Sequence, residues 1–212
     1  EKVFDYFNTL HFDPCSGEIT VDGERYLLFR SSSLSFEFIE FVKERYSDQS
    51  EDEAISIGQN FLFDNAKVIG KNDAIAFHNK LKLKDPIEKL SAGPIHFAFT
   101  GWANVEISEE SNPTTDENFF LKFQHHNSFE AQSWIKAKAT SKTPVCTMNC
   151  GYSSGWCEES FGLSLTTVEL TCEAQGADAC TFIMAPTDKI QDYVEKETSF
   201  KEAKSVEIPV FF

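Results

Sequence analysis

The sequence is short of positive charge, of long apolar runs and of nucleotide-binding signatures. Nineteen Lys and Arg face 34 Asp and Glu, a formal charge of -15. Such a surface repels phosphate backbones and anionic headgroups, and no basic stripe interrupts it, so neither nucleic-acid nor membrane binding is expected. No apolar run approaches the ~20 residues that span a bilayer. There is no G-x-x-x-x-G-K-[ST] loop, no kinase signature and no dinucleotide fingerprint. Nucleotide hydrolysis, phosphoryl transfer and nicotinamide chemistry are therefore not expected of this chain. No signal-like stretch opens it, and the location expected is cytoplasmic. The start at Glu1 reads as trimmed, and the apolar end "SVEIPVFF" reads as a cut before a further domain.

What is present fits a folded α+β domain. The 212 residues are 41% hydrophobic and 25% charged, enough to bury a core without disulfides. Phe is in excess at 21 copies, and most of these rings must line a core, a pocket or an interface. Alternation around Asp22-Gly23 predicts a hairpin over 17–30. Phe38, Phe41, Val42 and Arg45 fall near helical spacing in 33–47, with Ser33 or Ser35 as cap. A second helix is predicted over 50–70, with acids in its first turn, and a shorter one around 72–84 that ends near Asp85-Pro86.

Beyond that point the texture changes. "PIHFAFTGWANVEIS" (94–108) alternates with period two, which predicts a strand with Ile95, Phe97, Phe99, Val105 and Ile107 on one face. A turn at 111–117 leads to a return strand, 118–126, and then a helix over 127–139. The stretch 146–162 is helix-like and stops at Gly162. A C-terminal hairpin and a last helix from about Thr187 to Glu197 complete the chain. Helices followed by strands mixed with helices predict an antiparallel sheet flanked by helices. The expected division is 1–85 as hairpin, helices and dimerising part, 86–200 as ligand-binding domain, and 201–212 as the start of a linker.

The six cysteines are Cys15, Cys146, Cys150, Cys157, Cys172 and Cys180. No C-x2-C pair is present, so spacing alone leaves zinc, free thiols and a disulfide open. Three thiolates with the Glu169 carboxylate would close a four-coordinate zinc site. Cys150 and Cys157 are alternative ligands or small fillers of a helix face. Geometry sets one condition. Glu169 and Cys172 are three apart, so a regular strand points them to opposite faces and must bend or end between them.

The stretch 144–182, "PVCTMNCGYSSGWCEESFGLSLTTVELTCEAQGADACTF", carries P-V-C, then G-Y-x-S-G, then V-E-x-x-C, then G-x-x-x-C. This pattern resembles the 4-vinyl reductase, or hydrocarbon-binding, domain family. It is most similar to the aromatic-sensing N-terminal domains of bacterial activators of phenol and xylene catabolism. The resemblance runs more weakly through most of the chain. It implies a structural zinc held by Cys146, Glu169, Cys172 and Cys180 near the C-terminal hairpin. It also implies a ligand hydroxyl fixed by the His of a G-P-x-x-H-like stretch and by a Trp before S-F-E-A. His96 matches the first through a shortened "GPIH"; His125 stands where the second is Trp.

Phe97, Phe99, Phe119, Phe123 and Tyr152 are the candidate walls of a small-molecule pocket, with His96 and His125 as its polar groups. Taken singly, each ring is better explained as a core filler. Strand parity puts His96 opposite Phe97 and Phe99 while His125 shares a face with Phe123, which asks for irregular backbone near Gly101. The function these features imply is a non-catalytic, homodimeric sensor of a small hydrophobic or aromatic compound, acting on an attached output domain and so on transcription. The alternatives are a scaffold subunit of the same fold and a reductase-associated tetrapyrrole-binding protein.

Overall fold

The structure is a computed structural model and describes residues 2–199; the expected linker at 201–212 lies outside them. A short helix, α1 (Lys2–Phe7), leads into a three-stranded antiparallel meander of β1 (His11–Asp13), β2 (Glu18–Val21) and β3 (Glu24–Tyr26). The β2–β3 hairpin turns at Asp22 and Gly23, both with positive φ (50° and 82°), as an Asp-Gly type I′ turn requires. A 3-10 turn at Ser31–Leu34 precedes α2 (Phe36–Arg45).

The next helix, α3 (Glu51–Leu81), runs for 31 residues, about 46 Å at 1.5 Å per residue. It starts on a capping box: Ser50 Oγ accepts the Glu53 N–H, and the Glu53 carboxylate accepts the Ser50 N–H. The sequence predicts two helices here, and the structure has one. Gly70, where a break is expected, lies inside α3 against the backbone of Tyr152. A helix tolerates one Gly at about 1 kcal/mol, and here the missing side chain permits a close approach.

The larger correction concerns 94–108. These residues are not one long strand. Asp85 Oδ1 accepts the N–H groups of Ile87 and Glu88, and Pro86 occupies the first turn. That start carries α4 (Pro86–Phe99) through Pro94, and only β4 (Asn104–Ile107) is extended. The buried residues of α4 are Leu90, Ala92, His96 and Phe97, a helical set with spacings of four and seven. The alternation at 95–99 is incidental to it.

The chain continues through β5 (Leu121–His126), α5 (Phe129–Lys136), α6 (Thr147–Phe161), β6 (Leu165–Thr171), β7 (Cys180–Pro186) and α7 (Ile190–Ser199). Gly162 ends α6 in the left-handed region, at φ 70°. The second sheet is antiparallel throughout, in the order β4-β5-β7-β6. Its inner face carries Leu121, Phe123, Phe182 and Met184 into the main core, which draws residues from both sides of position 86. Its outer face, with Val168, Ile183 and Ala185, is covered by Ile190 and Val194 of α7.

Between the sheet and α3 lies α6, and the two helices touch backbone to backbone. A Cβ on Gly151 would strike the Phe63 carbonyl, and one on Gly155 the Lys67 carbonyl. Only glycine fits there, whatever its helix propensity. Gly155→Ala is expected to lower stability by about 1–3 kcal/mol, read from the urea midpoint. An unchanged midpoint would mean that the helices do not approach this closely.

Candidate metal centre and ligand cavity

Cys146 is the N-cap residue of α6, Glu169 lies in β6, Cys172 follows that strand, and Cys180 opens β7. The register pairs Glu169 with Phe182 and Thr171 with Thr181, which leaves Leu170 as the extra residue of a β-bulge. A bulge reverses the alternation. It brings Glu169 and Cys172 to the same side, meeting the condition set by their spacing. The three sulfurs and one carboxylate oxygen all lie within 4.8 Å of one another, and all four residues are buried.

The Sγ atoms of Cys146 and Cys180 are 3.7 Å apart, and those of Cys180 and Cys172 are 3.9 Å apart. A disulfide needs about 2.05 Å, so these are thiols, as are Cys15, Cys150 and Cys157. A tetrahedron with metal–sulfur bonds of about 2.3 Å has edges of about 3.8 Å. The sulfurs are therefore spaced to hold a metal ion without rearrangement. Glu169 Oε2 accepts the Cys146 N–H at 2.8 Å, while its Oε1 is buried without a hydrogen-bond partner among the described residues. Burial pushes the Glu169 carboxyl and the Cys146 thiol well above their ordinary values. Four acidic donors in one dry site ionise together only around a cation, and this buried Cys3Glu cluster is suited to bind one.

Polar side chains brace the centre. Ser128 Oγ lies 3.1 Å from Cys146 Sγ and accepts from Asn149 Nδ2 at 2.7 Å. Glu130 accepts the N–H groups of Met148 (3.0 Å) and Asn149 (2.9 Å) at the start of α6. Burial pushes its carboxyl up to about 8. In sequence Glu130 reads as an ordinary first-turn acid of α5; nothing local shows that it caps a different helix.

The cavity lies between α4, α6 and the inner face of the sheet, with a volume of about 50 Å³. Leu90 and Phe97 line it from α4, Val105, Phe123, His125 and Met184 from the sheet, and Tyr152 and Trp156 from α6. Of the six candidate ligand residues, Phe97, Phe123, His125 and Tyr152 thus reach one space. Phe99 does not: it is 41% exposed and stacks on Phe7 at 4.6 Å. Phe119, also a candidate wall, packs edge-on against Phe161 elsewhere in the core. The helical course of α4 removes the strand-parity difficulty. His96 is buried but does not line the cavity; its Nδ1 lies 3.1 Å from the Tyr152 hydroxyl, which donates to Asp73 Oδ2 at 2.9 Å. Trp156 and Met184 are cavity residues that the sequence reading did not single out.

His125 is different. Its ring is fully buried among Phe182 (4.3 Å), Phe97 (5.1 Å) and Phe123 (5.2 Å). Neither ring nitrogen has a hydrogen-bond partner among the described residues. Burial holds its pKa down at about 3, so the imidazole is neutral.

No protein-family model matches the chain. In fold the chain is similar to the phenol-responsive sensory domain of the transcription activator PoxR, solved with phenol, which matches with a TM-score of 0.75 at 19% identity, over 95% of this chain and 96% of that one. In sequence the chain is 27% identical over 186 residues to the phenol regulator MopR of Acinetobacter guillouiae, covering 88% of this chain. It spans about a third (32%) of the length of that relative. A vinyl-4-reductase family protein from Methanocaldococcus jannaschii matches at a TM-score of 0.48, with 19% identity over 77% of this chain and 83% of that one. The resemblance to the aromatic-sensing domains, read first from residues 144–182, thus extends along most of the chain.

On the far side of Trp156 sits His78, 4% exposed, edge-on to the indole at 5.1 Å and without a partner for either nitrogen among the described residues. Burial lowers its pKa from 6.5 to about 4. The unfolded chain therefore takes up a proton below about pH 6.5 that the folded chain refuses. Stability from this group is complete above that pH and is lost as the pH falls toward 4. His78→Gln should reduce the slope of unfolding free energy between about pH 5 and 6.5 by up to about 1.4 kcal/mol per unit. Parallel curves for the two proteins, from urea titrations, would contradict this.

Proposed function

We propose that this chain is a sensor domain that binds a small hydrophobic or aromatic compound in the α4–α6 cavity and regulates an attached output domain, and through it transcription. The observation that carries the reading is the apolar cavity with an unpartnered, neutral His125 in its wall, in a chain related to a phenol regulator. A void of about 50 Å³ is smaller than the ~150 Å³ that admits benzene. A one-ring guest therefore enters only as side chains yield, and Met184, with its flexible thioether, is the wall suited to do so. The domain reads as non-catalytic in this proposal, its cavity lined mainly by apolar side chains around His125. Residues 86–200 form the ligand-binding part in this reading.

Zinc is the ion we assign to Cys146, Glu169, Cys172 and Cys180. Four protein donors leave no open position for water, so the metal is structural. It staples the N-terminus of α6 to the β6–β7 hairpin. Trp156 lines the cavity, so entry of phenol or toluene is expected to change the intrinsic fluorescence. Native mass spectrometry of the same sample should show one zinc per chain, lost in Cys172→Ala. Absence of any spectral or mass change with these ring compounds would remove the sensor reading, and a metal-free chain the zinc assignment.

The chain is also proposed to act as a homodimer through residues 1–85. In this part Phe36 packs on Trp134 (5.2 Å) and Phe38 stacks on Phe61 (5.6 Å), itself 58% exposed. Leu27, Leu28 (82% exposed) and Phe29, with Phe41, present the apolar surface instead. Such a contiguous run on a chain of charge -15 suits a matching apolar surface. Sedimentation should give a dimer at micromolar concentration that Leu28→Asp converts to a monomer; a wild-type monomer would end this reading.

A further inference from the structure

The inward face of α3 carries Leu62, Ala66, Gly70 and Ala74, buried at every fourth position, and meets α6. At about 100° per residue, a second apolar line lies on the opposite face. It consists of Ile57, Phe61, Val68 and Ile75, and all four are exposed. Single exposed apolar residues are ordinary, but four along one face of one helix mark a contact surface. The line runs for about 27 Å at 1.5 Å per residue. Among the described residues, Phe38 stacks against Phe61 at one end of it.

Taken with the charged residues between them, the outer positions are Ile57, Phe61, Asp64, Val68, Lys71 and Ile75. Their steps alternate between four and three, the spacing of a seam between two packed helices. Asp64 and Lys71 are both exposed, and neither has an ion-pair partner among the described residues. They flank Val68, one on each side. When two copies of α3 cross antiparallel at Val68, Val68 meets itself and Phe61 meets Ile75 of the second copy. Asp64 then comes beside Lys71 of the second copy. A parallel pair would instead set Asp64 against Asp64 and Lys71 against Lys71, which repel. The helix ends agree with the antiparallel choice. The acidic first turn, Glu51 to Glu53, would approach Lys80 and Lys82 at the far end of the other copy.

We infer that the outer face of α3 is a self-association surface, and that it takes α3 of a second copy of this chain, antiparallel and centred on Val68. It shares no residue with the Leu27–Phe29 surface, so the two contacts can coexist, and dimers made by the first become tetramers through the second. A single helix seam buries less than the ~1,200 Å² of a standard interface. Two chains of charge -15 also repel at long range. The contact is accordingly weak, with a dissociation constant on the order of 100 μM. The inward face of the same helix holds α6, so association through the outer face leaves the packing around the cavity undisturbed.

Sedimentation equilibrium of the full chain, from about 10 to 500 μM, tests this. Wild type should pass from dimer to tetramer over that range, and Leu28→Asp from monomer to dimer. Val68→Asp should stop the second step in both. Asp64→Lys should weaken it about tenfold, and Asp64→Lys combined with Lys71→Asp should restore it. These positions are exposed, so the variants should fold, as circular dichroism would check. Direction is read by cross-linking in a Cys15→Ser background, which removes the exposed thiol. Val68→Cys should form an intermolecular disulfide under mild oxidation, and Asp64→Cys should not. Cross-linking through both positions would mean a parallel pair and overturn the proposal, as would a double charge swap that fails to restore association. A Leu28→Asp chain that stays monomeric at the highest concentration would also overturn it, leaving the sensor reading and the Leu27–Phe29 dimer standing. A dimer that survives Leu28→Asp and is lost in Val68→Asp would support this contact and remove the other.

Discussion

The contact on which the rest depends is the one between the backbones of α3 and α6. Gly70, Gly151 and Gly155 let the two helices meet with no side chain between them. A helix held that close has little freedom to roll or slide, because its neighbour's carbonyls act as stops. The positions on α6 are thereby fixed relative to the sheet. Cys146 sits at its N-terminus beside the thiols of the hairpin, while Tyr152 and Trp156 face the cavity. Both candidate sites inherit their geometry from this packing.

The Cys3Glu cluster and the cavity are adjacent through short covalent and hydrogen-bonded paths. His125 is the register partner of Cys180, so the residue in the cavity wall and a donor of the cluster are opposite one another in the sheet. From the other side, α6 begins at Cys146 and reaches the cavity at Tyr152. Glu130 and Ser128 tie α5 to the same end of α6. A cation at the Cys3Glu cluster would hold these three segments together and so hold the cavity walls in place. The arrangement separates duties: the thiol end is polar and closed, and the His125 end is apolar with one group unspent.

Much of the metal cluster was legible in sequence because its residues are chemically rare and its hairpin is local. Cys172 and Cys180 face each other across a turn, and the only obstacle, the parity of Glu169 and Cys172, already required a bulge. The cavity was legible in part. Phe123 and His125 share a face through strand alternation in β5, whereas Phe97 reaches the cavity from a helix and not from the strand that its alternation suggests. The α4 error arose because five residues of alternating polarity match both a strand and the buried stripe of a helix. Asp85 and Pro86 carry the deciding information, and they lie nine and eight residues upstream of Pro94, where the alternating segment begins.

By itself the sequence determined the α+β class, the acidic surface, the helix stop at Gly162, and the hairpin donors Glu169, Cys172 and Cys180 as candidates, since each depends on residue chemistry or on neighbours within a few positions; Cys146, 23 positions from Glu169, joined them only through the family resemblance. Only the tertiary structure decided which of two buried histidines faces the cavity. That choice turns on Asp73, which lies 79 positions from Tyr152 in the chain yet takes its hydroxyl proton, leaving Tyr152 to receive His96. No local pattern encodes such a contact. Among the described residues His125 stays unpartnered for the complementary reason: its ring neighbours, Phe97, Phe123 and Phe182, offer it packing and no hydrogen bond.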